Sequence, residues 1–506
     1  MKEDLRIKAH PILSIDRGEP IEFQFNGKPI KAYPHETIAA ALYAAGIRTF
    51  SRSFKYHRRR GLFCLAGHCS HCLMRVDGVP NIRICKELVR PGMQVESQNA
   101  WPSLSFDIKA VTGYLDFLVR PGFQYRRFIR HRGLYHIWEK YLRRMAGIGS
   151  LAEMQNHVPA RRHQAEPEVV VIGAGIAGLS AALHAAQGGS EVWLIEKERA
   201  LGGRLLYDTA VYELPGAHAK HFGFAVATNL AHQMERFENC RILTSATAFA
   251  WYDEGILAVT RPGELWELRP KQVIVATGSY EIPLLFENND LPGIFLAGAL
   301  QRLIHRDYIR PGRHAVVATV DGRGYDLAHQ LLAAGVSVTG IVDHRNEDDL
   351  TANNAAQPII QANIPVFREH TIKTAIGRRN VKGVIIKPLK SPKDATSGSE
   401  ITLSCDVLGM AAGRMPANDL IFQRTCQGTY ILESPHQFTR KPLISKHMHV
   451  DADMFVAGEA AGSKGIERLW LEGKIAGFSA ALDLGYGDLE IERARDAAEA
   501  ILDRTT

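Results

Sequence analysis

"EPEVVVIGAGIAGLSAALHAAQGGSEVWLIEKE", residues 166–198, is the stretch from which the fold can be read. "EVVVI" is an apolar run of strand length, "LSAALHAAQ" has the Ala- and Leu-rich character of a helix, and "EVWLIE" is a second strand. Between the first strand and the helix lie Gly173, Gly175 and Gly178, and the second strand ends at Glu196, 23 residues beyond Gly173. Strand, glycine turn, helix and strand in this spacing make a βαβ unit, the building block of a parallel sheet. Each glycine has its own duty. Gly173 makes a tight turn, Gly175 lets backbone approach a pyrophosphate, and Gly178 lets the helix pack closely on the strand. The helix N-terminus favours phosphate, and Glu196 can accept hydrogen bonds from a ribose. The glycines alone would say little; with the strand, helix and carboxylate in register they predict a bound dinucleotide.

Which dinucleotide follows from what lies further on. "LGGRLLYDT" brings Gly202, Gly203 and Arg204 just after Glu196, "VIVATGSY" carries Thr277 and Gly278, and "MFVAGEAAG" carries Gly458 and Glu459. In this order the three segments resemble the FAD-associated segments of disulfide-reductase-type flavoproteins, the last of them near the ribityl chain. A second, weaker βαβ copy, "RHAVVATVDGRGYDLAHQLLAAGVSVTGIVDHR", interrupts the first. Aligning "VVATVDGRG" with "VVIGAGIAG" puts Thr319 at the place of Gly173, Asp321 at that of Gly175, and only Gly324 on a glycine. Asp321 brings negative charge and a side chain to the place meant for a pyrophosphate, so a structural role is expected there rather than a working NAD site. Asp343 still stands where a ribose-binding acid belongs. No CxxC lies after residue 72, which argues against thiol-disulfide reduction.

Upstream, "IEFQFNGKPIKAY" alternates apolar and polar residues around Asn26-Gly27, the signature of a hairpin, and "HETIAAALYAAGI" reads as a helix with Thr37 as its cap. Then "GLFCLAGHCSHCLMRVDGVPNIRIC", residues 61–85, holds four of the seven cysteines. Cys64, Cys69 and Cys72 have C-x4-C-x2-C spacing, and Cys85 follows after twelve residues. A zinc ribbon pairs two CxxC units, whereas this spacing matches plant-type 2Fe-2S ligation with a shortened last interval. The loop must wrap a flat cluster and direct thiolates at two irons, and Gly67 supplies backbone freedom where side chains would crowd it. His68 and His71 fall outside the expected ligand set, since four thiolates suffice. Arg58, Arg59 and Arg60 read either as a solvated basic run or as charges that offset the cluster or meet an electron partner. Cys240, Cys405 and Cys426 are scattered and read as small buried hydrophobes.

The chain of 506 residues, 46% apolar and 23% charged, has the composition of a globular protein of two to four domains. No apolar run approaches the roughly 18 residues of a transmembrane segment, and the opening residues lack the apolar core of a secretion signal. Cysteines that are clustered and odd in number do not suggest a disulfide framework. The expected location is cytoplasmic, or peripheral to the inner membrane through a partner. Charge is uneven: up to Ala165 there are 27 Lys and Arg against 13 Asp and Glu, and beyond it 34 against 41. No nucleic-acid-binding motif accompanies the basic portion, so no nucleic acid partner is expected. The expected domains are a 2Fe-2S domain at 1–100, a basic, aromatic-rich connecting arm at 101–165 without a clean strand, a FAD-binding domain in two parts at 166–300 and 405–506, and an inserted NAD-binding-like domain at 301–404. The arm reads as a connection lying on its own domains or as a surface for a partner subunit. The fold class is thus an α+β ferredoxin-like (β-grasp) domain followed by an α/β flavoprotein with two dinucleotide-binding domains, disulfide-reductase-like.

This order of parts, with "SRSFKYHRRRGLFCLAGHC" in the cysteine domain and "WPSLSFD" leading into the arm, resembles the alpha subunits of heteromeric sarcosine oxidase and its relatives: proline and hydroxyproline dehydrogenases, opine oxidases and hydrogen cyanide synthase. The resemblance extends neither to the folate-binding, aminomethyltransferase-like half of sarcosine oxidase alpha subunits nor to the extra cysteine-rich domain of some opine oxidase relatives, so neither is expected here. The resemblance implies an electron-transfer subunit with FAD and a 2Fe-2S cluster, NAD or ATP taking the place of FAD in some relatives. It implies a partner beta subunit of D-amino-acid-oxidase-like fold with its own FAD, FMN at the interface in some cases, and further small subunits. Substrate oxidation at a C–H bond beside nitrogen would take place on that partner, so no catalytic side chain is expected here. Other readings are a self-sufficient NAD(P)H-dependent FAD and iron-sulfur reductase, and a structural scaffold subunit.

Overall fold

The computed structural model describes residues 4–10, 12–113, 131–147, 159–215, 220–346, 359, 361–389, 400–424, 428–434 and 437–504. Cys426 and much of the arm, 114–130 and 148–158, lie outside them. The chain divides into two compact units, Met1–Gln155 with Glu281–Gly413, and Asn156–Tyr280 with Arg414–Thr506.

In the first unit the hairpin forms at the expected place. Strands Ile21–Phe25 and Lys28–Ala32 pair with Phe25 opposite Lys28, and Asn26 and Gly27 both take positive φ, 49° and 73°, as a tight two-residue turn requires. Together with Gln94–Glu96, Leu73–Val76 and Val79–Arg83 they make a five-stranded sheet. Helix Ile38–Ala44 starts where Thr37 Oγ1 accepts from the Ala40 amide at 3.2 Å, and its residues are buried. The same unit holds a second, parallel sheet in the order Ile294–Leu296, Val407–Ala411, His314–Thr319, Ser337–Asp343, Val366–Arg368. One continuous core runs through both parts: Phe23, Leu42, Leu62 and Cys85 belong to the same cluster of buried residues as Leu300, Ile304 and Val317. Strands Ile294–Leu296 and Val407–Ala411 therefore belong to the inserted sheet, and the first compact unit takes in residues 281–413. Short buried apolar strands look alike in either sheet, and only their pairing assigns them.

The second unit is built on a six-stranded sheet in the order Cys240–Leu243, Val192–Ile195, Val169–Ile172, Gln272–Val275, Met454–Val456, His449–Asp451, parallel except for the last edge strand. Helices Ile176–Gln187 and Ile466–Asp483 pack closely because a Cβ on Gly473 or Gly477 would lie 2.2 or 2.3 Å from the carbonyl oxygens of Ala177 and Ala181. Within the arm Arg132–Ala146 is a helix. Its last residues differ from the expectation of no clean strand: Arg161–Ala165 is a strand paired in parallel with Glu264–Leu268. "RRHQA" has no apolar alternation, so its strand is set by pairing rather than by pattern. No helix among the described residues is long and apolar enough to cross a membrane.

Candidate functional site

The second unit brings the predicted glycine segments together. Strand Val169–Ile172 is fully buried, and Gly173 leaves it with φ 101°; a Cβ there would lie 2.4 Å from the Ala276 carbonyl oxygen. Gly178 sits still tighter, since its Cβ would fall 1.8 Å from the Gly173 carbonyl oxygen. Gly175 is the opposite case: nothing lies within 4 Å of its Cβ position, and it stands at the N-terminus of helix Ile176–Gln187 with no side-chain cap. Open space at an uncapped helix N-terminus is a cradle for an anion. The Gly202 amide donates to the Ala174 carbonyl at 2.8 Å, and a Cβ on Gly203 would approach the Gly175 Cα to 3.0 Å, so the second glycine pair lies on the first turn.

Glu196 is buried at the end of its strand and accepts from the amides of Ala174 and Glu198, each at 2.7 Å. Burial raises its pKa, and the two amide donors oppose that rise. From the C-terminal segment, Gly458 has φ 79° and its Cβ would meet that of Ala177 at 2.7 Å, placing the third segment on the same helix. Glu459 gathers Arg204 at 2.6 Å, Ser279 Oγ at 2.8 Å and Arg414 at 3.5 Å. Thr277 donates to the Ala417 carbonyl at 2.5 Å, and Gly278, with φ 77°, has open space at its Cβ position.

Glu472 is missing from the sequence reading, and so are Ser279 and Arg414. Glu472 is 2% exposed and accepts from the Gly458 amide at 2.9 Å, Ser463 Oγ at 2.5 Å and Arg468 Nε at 3.0 Å, so it fixes the turn that carries Glu459. Burial raises its pKa against these donors. One signal was present: in "LWLEGKIAG", apolar apart from Glu472 and Lys474, a buried acid needs partners.

The inserted copy is filled by its own side chains. A Cβ on Gly324 would lie 2.4 Å from that of Thr319, which closes the turn. Asp321 accepts from the Arg323 amide at 3.0 Å and from its Nε at 2.9 Å, so an internal ion pair occupies the start of helix Arg323–Ala333. Asp343 is fully buried and taken by Tyr325 Oη at 2.9 Å, the Arg345 amide at 2.9 Å and the Arg345 guanidinium at 2.8 Å. The acid in the ribose position thus already has its donors.

In the first unit the cysteine loop gathers four thiols. Among the described residues no three His, Cys, Asp or Glu side chains are grouped as on a single metal ion. The thiols meet instead in two pairs, Cys64 with Cys69 and Cys72 with Cys85, close enough to hydrogen-bond. The Cys64 sulfur also receives the amides of Cys69 at 3.4 Å and Ala66 at 3.5 Å. The Cys69 thiol and these amides hold the Cys64 pKa down at about 5 against burial, and Cys85 is lowered in the same way by Cys72. Amides directed at sulfur stabilise thiolate, the form that binds iron. Gly67 has φ 77°, which a side chain there would strain. His68 is exposed; His71 is partly buried and its pKa falls to about 4, chiefly by burial. Cys240 and Cys405 are partly buried and buried, and burial pushes both thiols up to about 12. Two thiol pairs with inward-pointing amides fit a two-iron cluster, and the open glycine cradle fits a dinucleotide.

Residues 18–100 match the family described as "2Fe-2S iron-sulfur cluster binding domain", and residues 167–471 match "Pyridine nucleotide-disulphide oxidoreductase". The chain belongs to the pyridine nucleotide-disulphide oxidoreductase family. Its two matched domains fit FAD and a 2Fe-2S cluster, as expected. Sarcosine oxidase subunit alpha of Rhizobium meliloti (strain 1021) is 33% identical over 81% of this chain and 41% of its own length. This chain therefore spans less than half of that relative. Hydrogen cyanide synthase subunit HcnA of Pseudomonas aeruginosa is 36% identical over 18% of this chain and 86% of its own length. Among solved structures, L-proline dehydrogenase from P. horikoshii shares the fold with a TM-score of 0.65 and 21% identity, covering 96% of this chain and 78% of that one. The ferredoxin-like domain followed by a disulfide-reductase-like flavoprotein fold agrees with the sequence reading.

Proposed function

We propose that this chain is the electron-transfer subunit of a heteromeric amine or imino acid dehydrogenase or oxidase whose substrate is oxidised on a partner flavoprotein. The observation that carries the reading is the presence, in one chain, of a four-thiol loop and a converged set of dinucleotide-binding glycines. Support comes from the relatives, two of which are named as subunits, of sarcosine oxidase and of hydrogen cyanide synthase. In this reading Cys64 and Cys69 hold one iron and Cys72 and Cys85 the other. Gly173, Gly175, Gly178, Gly202 and Gly203 admit the pyrophosphate, Glu196 orients the ribose, and Arg204, Thr277, Gly278, Gly458 and Glu459 line the flavin half. A flavin exchanges two electrons or one and a 2Fe-2S cluster one at a time, so together they split a hydride's electron pair into single electrons. The cytoplasm, or the inner membrane reached through the partner, is the proposed location. The filled second nucleotide site speaks against direct reduction by NAD(P)H.

The test is elemental and spectroscopic. Protein purified anaerobically should contain two irons and two sulfides per chain and give a rhombic signal in electron paramagnetic resonance after reduction; Cys69→Ser should lose that signal while keeping FAD. Zinc in place of iron, or full bleaching of the flavin by NADH alone, would refute the reading.

A further inference from the structure

The Arg58–Arg60 run has gained neighbours from a distant part of the chain. Strands His370–Gly377 and Val381–Pro388 form a hairpin whose turn carries Arg378 and Arg379, both exposed. Two links fasten this turn beside the run. Arg58 donates to Asn288 Oδ1 at 2.7 Å, and Asn288 Nδ2 donates to the Ala375 carbonyl at 3.2 Å. Pro292 accepts from the Val381 amide at 2.9 Å, and its Cα would lie 2.8 Å from a Cβ on Gly61. The only carboxylate paired with these arginines among the described residues is Asp290, shared by Arg58 at 2.9 Å and Arg60 at 3.4 Å. Arg59 donates to the Ser105 carbonyl at 2.7 Å, and its pKa is lowered by burial and by the like charges of Arg52, Arg379 and Arg378. Of these five arginines only Arg58 and Arg60 have a paired acid among the described residues, and mutual repulsion makes such a patch costly unless an anionic surface meets it.

The position of the patch selects among anionic surfaces. Arg60 is followed directly by the cysteine loop and pairs across a short ladder with Ser51, whose Oγ donates to the His71 carbonyl at 2.7 Å, between Cys69 and Cys72. On that loop His68 and Ser70 are exposed and Cys69 is partly so, while Cys64, Cys72 and Cys85 are buried. A partner seated on the arginines therefore stands beside the most accessible edge of the thiol set, where electron transfer over a short distance is possible. Nucleic acid or lipid would gain nothing from that neighbourhood.

We propose that Arg58, Arg59, Arg378 and Arg379 form the docking surface for an acidic one-electron carrier protein that is the oxidant of the cysteine-loop cluster. The inference rests on the relay reading: each carrier molecule takes one electron, so two are consumed per amine oxidised on the partner subunit. The probe is a plant-type ferredoxin with a strongly acidic surface, bound to the immobilised, oxidised, full-length holoprotein and followed by surface plasmon resonance across a salt series. Binding should weaken as salt rises. The Arg378→Glu/Arg379→Glu double variant should bind about tenfold or more weakly, mainly through a slower on-rate. The Arg378→Lys/Arg379→Lys variant keeps the charge and should bind like the unaltered protein. Iron content and flavin spectrum should be the same in all three.

Equal affinity of the charge-reversed and unaltered proteins would overturn the proposal. So would absence of carrier binding together with salt-sensitive binding to vesicles of one part phosphatidylglycerol to three parts phosphatidylcholine. Because binding is read without electron flow, these failures leave the cluster's spectroscopic signature standing and are distinct from failure of the relay reading. A chain holding zinc would refute both.

Discussion

Gly175 and Gly178 stand one helical turn apart, and replacing each by alanine should give opposite results. At Gly178 the new methyl would lie 1.8 Å from the Gly173 carbonyl oxygen and 2.9 Å from its carbon, both backbone atoms that cannot swing away. The helix must then move off the strand, and Gly178→Ala should destabilise the apoprotein by about 3 kcal/mol, the upper part of the overpacking range. At Gly175 the backbone is extended, with φ −71° and ψ −176°, and nothing lies within 4 Å of the added carbon. Alanine is at ease there, and reduced freedom of the unfolded chain should stabilise the apoprotein by about 0.4–1 kcal/mol. The same open space is where the pyrophosphate is proposed to lie, so the methyl should intrude on the cofactor. An intrusion costing about 1–3 kcal/mol weakens FAD binding by about 5- to 150-fold. Urea titration of the flavin-free chain and calorimetric titration with FAD measure the two quantities separately. A Gly175→Ala protein that binds FAD as tightly as the unaltered chain would refute the assignment of the cradle, whatever its stability.

Two further outcomes follow from buried charge. His184 lies edge-on to Trp470 and Phe478, with Nδ1 2.7 Å from the Ser180 carbonyl, and burial lowers its pKa to about 3. Because the unfolded chain takes up this proton first, the contribution is complete above about pH 6.5 and is lost as pH falls towards the folded value. The loss is about 1.4 kcal/mol per pH unit, or about 2 kcal/mol at pH 5; urea midpoints at pH 7 and pH 5 should differ less in His184→Asn, and equal differences would exclude the ring as the source. In the inserted domain, Asp343→Ala leaves Arg345 without its main counter-charge. Since that guanidinium is 19% exposed, the cost should sit near the lower end of the range for a broken buried pair, about 3 kcal/mol. A denaturation midpoint unchanged by the substitution would show that solvent satisfies Arg345 unaided.

Features set by neighbours in the chain were open to reading from the sequence. Asn26-Gly27, the Thr37 cap and the glycine turn after Val169–Ile172 depend on local backbone needs, and the structure places all three as expected. The oddity of Asp321 was also visible; what closes the site is the arginine two residues after each acid, and the sequence reading passed over Arg323 and Arg345. Glu472 and Arg378–Arg379 were hidden for a different reason. Glu472 acquires its meaning only from the Gly458 amide, and the arginine pair only from a hairpin pinned beside residues some 320 positions earlier. Contacts across such separations leave no periodicity to detect.

The core shared by Phe23, Leu42 and Cys85 with Leu300, Ile304 and Val317 also sets a timetable. A ribosome delivers the cysteine domain first, but the apolar surface that domain buries its flank against is made only after residue 281 has emerged. At synthesis rates of about 5–20 residues per second, the first hundred residues wait on the order of ten seconds or more with that flank exposed. During this interval the thiols of Cys64, Cys69, Cys72 and Cys85 are open to oxidation and to stray metals. Iron delivery therefore has to follow closure of the core or be guarded until then, and a ribosome-stalled chain ending near residue 100 should be more prone to aggregate than one stalled past residue 413.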